Sequence, residues 1–228
     1  MENPKNSVLI IFLKNPKPKK VKTRLAKTIG YTASAKIYKT MAETLIENTK
    51  SQSYQQEIFY APKKEFSSVK NWLSSDLILQ AQTGRSLGTR MSKAFKKSFD
   101  QGKSKVILIG SDAPLIGENL IKEALSRLDE KDAVIGPSAD GGYYLLGLRC
   151  YIPSMFIAID WSTPKVLDQT VCALNKTKKS YSILSEHFDV DTEKDLVKLK
   201  TWLENNPSYP NIVNLYQEVS NVFKRKTQ

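Results

Sequence analysis

Apolar and polar positions along this chain alternate between two periods. The run VLIIFL at 8–13 is continuous, apolar and rich in β-branched residues, which reads as a strand buried on both faces in the middle of a parallel sheet. Similar short runs predict strands at 57–61, 77–79, 105–110, 133–135, 143–148 and 181–184, of which KVILIG at 105–110 is the clearest. Helical spacing fills the intervals. From Thr32, with Thr32 or Ser34 as the cap, Ala35, Ile37, Tyr38, Met41, Leu45 and Ile46 mark one helix, and Phe66, Val69, Trp72 and Leu73 a shorter one. Met91, Ala94, Phe95 and Phe99 share one face of a helix over 87–99, and Leu120, Ala124, Leu125 and Leu128 define the next. Thr163-Pro164 predicts a helix opening with proline at its first position and ending near 176. A further helix is expected to start in the acidic segment at 189–195.

Strands alternating with helices at this pitch predict an α/β protein, a three-layer sandwich with a mostly parallel mixed sheet. Residues 1–206 read as one α/β domain. Residues 207–228, behind Pro207 and Pro210, read as a C-terminal helical extension with a basic tail. There is no internal repeat, low-complexity segment or dividing linker.

Composition narrows the class. At 228 residues and 40% hydrophobic, the chain can bury a core without disulfide staples. Two cysteines make no disulfide framework, and His187 as the lone histidine excludes a multi-histidine zinc site. No apolar run is long enough to cross a membrane and no leader is evident, so the expected location is cytoplasmic. The net charge of +12 changes the picture only when it is resolved along the chain. Six lysines and Arg24 against Glu2 alone leave residues 1–24 at +6, and Lys224, Arg225 and Lys226 add three more. The excess is local, and only six of the 35 basic residues are arginine, the residue on which base readout leans. A small acidic ligand fits better than a nucleic acid.

In a parallel α/β sheet, ligands bind at the carboxyl ends of the strands, and this chain has unusual loops there. The basic loop at 14–24 (KNPKPKKVKTR) follows the first strand, and its Lys14, Lys22 and Arg24 are placed to offset the charge of a polyphosphate; a merely solvated basic loop is the alternative. The loop matches neither GxxxxGK[ST] nor GxGxxG. Asp112, in GSDAP after the strongest strand, has the chemistry for a hard cation such as Mg2+ or Mn2+, or for a helix cap or turn. Asp189 and Asp191 flank Val190, so an extended backbone presents both carboxylates on one side, although this segment reads equally as a capped helix start. Asp140 beside Gly141 and Gly142 offers a carboxylate where backbone can approach a ligand, or a plain hairpin turn. Gly88 and Arg90 belong to a second glycine-bearing basic stretch that opens a helix, a reasonable nucleotide contact.

Taken in order, VKTRL at 21–25, Gln82 with LG and RM at 87–91, GSDAP at 110–114, GPSADGGYYLLGL at 136–148, Trp161 with Thr163, and DVDT at 189–192 followed by Asp195-Leu196 resemble the DUF2064 group. Its members are usually labelled glycosyltransferases and named radical-SAM/selenodomain-associated transferase 1. The group is similar to 2-phospholactate guanylyltransferases and molybdenum-cofactor nucleotidyltransferases, and the likeness spans roughly residues 7–200. It implies a GT-A-like nucleotide-diphospho-sugar transferase fold and a metal-dependent transferase with a nucleotide or nucleotide-sugar donor and a small-molecule acceptor. Glycosyl transfer is the first reading and nucleotidyl transfer with pyrophosphate release the alternative; a non-catalytic anion- or RNA-binding module is a third. By the same resemblance, Lys14, Lys22, Arg24, Gly88 and Arg90 would contact the nucleotide, and Asp112 with Asp191 or Asp189 would hold Mg2+ or Mn2+. Asp112, Asp140 and Lys22 would act in catalysis, with Gly141, Gly142 and Trp161 on the acceptor or sugar side. Two positions depart from the group: Lys19 stands where its members carry glycine, and Ser86 where they carry an acid.

Overall fold

The computed structural model describes residues 6–226. Its strands are β1 (Ser7–Lys14), β2 (Gln55–Ala61), β3 (Ile78–Ala81), β4 (Lys105–Gly110), β5 (Ala133–Pro137), β6 (Tyr143–Leu148) and β7 (Tyr181–Ile183). Its helices are α1 (Ala26–Ile29), α2 (Tyr31–Asn48), α3 (Phe66–Trp72), α4 (Leu87–Asp100), α5 (Glu118–Glu130), α6 (Val166–Lys176), α7 (Glu193–Asn205) and α8 (Val213–Lys226). The strands form one seven-stranded sheet in the order β3-β2-β1-β4-β6-β5-β7. All the pairings are parallel except those of β6, which runs against β4 and β5. The expected α/β sandwich is what the chain forms.

The continuous apolar strands work because both faces of the sheet are covered. Leu9, Ile11 and Leu13 of β1 join Ile107 and Ile109 of β4 in a core with Leu45 of α2, Val69 of α3 and Leu125 of α5. The alternate residues Val8, Ile10 and Phe12 point the other way, into a core with Met91 and Phe95 of α4 and Leu174 of α6. Period-two alternation on a doubly covered strand therefore makes every position apolar. A third apolar cluster lies beside the sandwich, where α2, α7 and α8 pack together through Met41, Leu199 and Leu215. Two of its fully buried members, Leu25 and Val190, belong to the loops that carry candidate site residues. Among the described residues, no helix is long and apolar enough to cross a membrane.

Some boundaries differ from the expectation for local reasons. Helix α2 begins at Tyr31 behind Gly30 rather than at a Thr32 or Ser34 cap; the Ser34 hydroxyl is buried and donates back to the Gly30 carbonyl. Helix α6 begins at Val166, so Pro164 lies ahead of it, in close contact with Gly141. The short α1, only one turn long, has no periodicity for sequence reading to detect.

Candidate functional site

Strand β1 pairs with β2 on one side and β4 on the other, and the chain leaves it toward β2. Its carboxyl end and that of β4 therefore fork, which is where open α/β sheets take ligands. Gly110 pairs with Phe12, so Asp112, two residues on, emerges level with Lys14. Tyr38 of α2 ties the fork together. Its hydroxyl accepts the Lys14 backbone N–H at 2.8 Å and is hydrogen-bonded to Ser111 Oγ at 2.8 Å. Burial, then the nearby Asp112 charge, keeps this phenol protonated. Sequence reading found Tyr38 only as a core position of a helix. Its role depends on partners 24 and 73 residues away, which periodicity does not reveal. Replacing it with Phe removes the partner of the buried Ser111 hydroxyl and of the Lys14 N–H, so Tyr38→Phe is expected to lower the unfolding free energy by about 1–3 kcal/mol, read as a lower urea midpoint with unchanged slope.

Lys22 is the centre of the site. Its ammonium lies 2.5 Å from Asp112 Oδ1 and 2.9 Å from Asp191 Oδ1, and its side chain is 3% exposed. Burial presses Lys22 toward its neutral form, but the charges and hydrogen bonds of Asp112 and Asp191 outweigh that and hold it charged. The two carboxylates are 46% exposed and open toward solvent. The Val190 N–H donates to the Asp112 carbonyl at 3.0 Å, joining the two segments through the backbone. Arg24 stands at the rim, 76% exposed, with its guanidinium 3.9 Å from Asp191 Oδ2. Lys14 is exposed at the end of β1.

The ambiguity at 189–195 resolves cleanly. Thr192 caps α7 in a reciprocal box with Asp195, which leaves Asp189 and Asp191 outside the helix. Asp189 is pushed up to about 7 by burial first and then by the Asp112 charge; Lys22 opposes this, while Asp191 and Asp140 add to it. Asp112 caps nothing, because α5 starts at Glu118 behind Gly117.

The Asp140 side chain builds the turn that its sequence context suggested. Its Oδ1 accepts from Ser138 Oγ at 2.7 Å and the Gly142 N–H at 3.0 Å, which makes the β5–β6 turn, while its charge is felt at Asp189. Gly141 has φ +84° and its carbonyl accepts the Leu167 N–H at 3.0 Å, joining the turn to α6. Gly88, Arg90 and Trp161 also make contacts within the protein. A Cβ on Gly88 would lie 2.2 Å from the Trp161 indole nitrogen, so the glycine admits the ring. The Arg90 Nε–H donates to the Gly84 carbonyl at 3.0 Å and holds its own loop.

Lys19, where the DUF2064 group carries glycine, has φ +67°, the left-handed region that favours glycine. Lysine there bears about 1 kcal/mol of strain. Lys19→Gly is accordingly expected to leave the unfolding free energy within about 1 kcal/mol of the parent, whereas the β-branched Lys19→Val lowers it by more, in paired urea titrations.

The seven-stranded, mostly parallel sheet flanked by helices is the fold of a nucleotide-diphospho-sugar transferase. The chain belongs to the family described as "Uncharacterized protein conserved in bacteria (DUF2064)", which matches residues 44–163, as the motifs led us to expect. A solved structure named as a nucleotide-diphospho-sugar transferase from Desulfovibrio desulfuricans G20 is 32% identical, superposes with a TM-score of 0.90 and covers 96% of this chain and 98% of its own. The 2-phospho-L-lactate guanylyltransferase of Methanocaldococcus infernus is 29% identical over 121 residues, 52% of this chain and 54% of that protein. The chain thus matches about half the length of this curated relative. The 4-diphosphocytidyl-2C-methyl-D-erythritol synthase of Anaerococcus prevotii DSM 20548, 10% identical with a TM-score of 0.57 over 87% of this chain and 99% of that one, shares the fold.

Proposed function

We propose that this protein is a metal-dependent transferase acting on a nucleotide-activated donor, with chemistry at the fork of β1 and β4. The observation that carries this reading is the Lys22 ammonium between Asp112 and Asp191 beneath an open, basic rim. Among the described residues no three acidic, histidine or cysteine side chains gather as a complete metal cage. The donor set nevertheless suits Mg2+ or Mn2+, because such ions are commonly held by one or two carboxylates plus the substrate's phosphates. Asp112 and Asp191 would hold the ion, with Asp189 beside them, and when bound it would offset charge on the phosphate oxygens.

The chain's own residues do the rest. Exposed Lys14 and Arg24 bind and orient the donor's phosphates. Lys22 fixes the two carboxylates and contributes positive charge where negative charge builds on the leaving group. The turn of Asp140, Gly141 and Gly142, packed against Pro164, walls the acceptor side together with Trp161.

Two reactions fit this site. Nucleotidyl transfer, in which a phosphorylated acceptor attacks the α-phosphate and pyrophosphate leaves, is favoured by the similarity to a guanylyltransferase. Glycosyl transfer, in which a nucleoside diphosphate leaves a sugar, is supported by the near-complete match to the Desulfovibrio structure. Products separate them: the purified protein with Mn2+, NTPs and phosphorylated small acids is expected to release pyrophosphate. Release of NDP from sugar nucleotides instead would assign the second reaction, and neither product across both donor panels would overturn the transferase reading.

A further inference from the structure

A lysine between two carboxylates already supplies the positive charge that a metal ion would bring. Lys22 is held there by its surroundings. Its backbone has φ +45°, its carbonyl accepts the Ala26 N–H at 2.9 Å, and Leu25 anchors the loop in the same buried cluster as Val190, between Asp189 and Asp191. Both the lysine and the carboxylate it meets at Asp191 are therefore fastened to one apolar base. The ammonium contacts one oxygen of each carboxylate and is almost wholly buried, while the carboxylates are exposed on their other side.

A free dication approaching from solvent has to sit beside this fixed ammonium, and like charges a few ångströms apart repel strongly in a partly buried site. Phosphate oxygens remove the conflict, because their negative charge is shared by the dication, Lys22 and Arg24. We propose that Lys22 sets the order of binding: the carboxylate pair accepts a divalent ion as its complex with nucleotide phosphates and not as the free ion. This rests on the reading of Asp112 and Asp191 as the residues that hold the metal. It makes Lys22 a positioning residue whose effect appears in metal affinity, beyond any part it plays in turnover.

The test dialyses the full chain against Mn2+, with or without NTPs, and reads bound ion as the excess manganese in the protein compartment, because NTPs chelate Mn2+ on their own. The wild type is expected to take up little Mn2+ at submillimolar concentration, and to take it up when a mixture of the four NTPs is added. Lys22→Met is expected to bind Mn2+ alone at least about tenfold more tightly than the wild type, because the competing charge is gone. Adding Asp112→Asn to that variant should abolish the gain.

Equal affinity of wild type and Lys22→Met for free Mn2+, lost on Asp112→Asn, would overturn the ordering role while leaving the metal reading intact. Absence of Mn2+ binding by both proteins, with and without NTPs, would overturn both. If Lys22→Met does not fold, Lys22→Gln takes its place and melting of the wild type gives an independent answer. Mn2+ alone should leave the melting temperature unmoved and Mn2+ with NTPs should raise it, whereas an equal rise with Mn2+ alone contradicts the proposal.

Discussion

Asp112→Asn is expected to reduce turnover about a thousandfold, equivalent to about 4 kcal/mol of transition-state stabilisation, while the protein stays folded. The substitution is nearly isosteric and removes one of the two carboxylates that meet Lys22. The fold should tolerate it because Asp112 contributes structurally through its backbone, whose carbonyl accepts the Val190 N–H. Its side chain is 46% exposed, so the lost ion pair is partly screened by water. Initial rates measured beside a circular-dichroism melt separate the two effects. Loss of activity with a melting temperature close to the parent's supports a chemical role, whereas an unfolded variant, or one with full activity, contradicts it.

The largest effect on stability is expected from Gly141→Ala. Two costs coincide there. The backbone sits at φ +84°, where any side chain is strained, and an added Cβ would lie 2.2 Å from the Pro164 carbonyl oxygen and 2.7 Å from its Cα. Both obstacles are backbone atoms, so no rotamer change relieves them. A loss of roughly 3–5 kcal/mol follows from strain and overpacking together. For a domain of this size, that is a fall of roughly 6–20 °C in melting temperature. The Gly141 carbonyl also accepts the Leu167 N–H near the start of α6, so any shift of the turn moves that helix and the acceptor wall with it. A melting temperature within error of the parent's would show that the turn does not hold α6 in this way.

The sheet was legible from the chain because its signal is local. Strands such as VLIIFL and KVILIG are apolar throughout only when both faces are covered, and that condition implies the parallel sandwich directly. Asp112 was legible as well, since an acid following the strongest strand must emerge at a carboxyl edge. The remainder depends on contacts made across the fold. A glycine permits close approach without naming the approaching group, so the Trp161 ring against Gly88 could not be read from the chain. Lys22 reads, with Lys14 and Arg24, as one of three basic residues placed toward a polyphosphate. Only the fold, by bringing Asp191 from 169 residues away, singles it out as the buried one. At Lys19 a departure from the family pattern visible in the sequence coincides with a left-handed backbone that the fold reveals.

The central claim is that the fork between β1 and β4 binds a nucleotide's phosphates together with a divalent ion held by Asp112. The most direct test is the melting temperature of the wild type and Asp112→Asn with each NTP and a panel of sugar nucleotides, in the presence of Mn2+. At about a hundredfold excess over Kd, a true donor should raise the wild-type melting temperature by roughly 5–10 °C. The same mixture should leave Asp112→Asn close to its unliganded value. An equal rise in both proteins, or no rise in the wild type with any donor, would contradict the account.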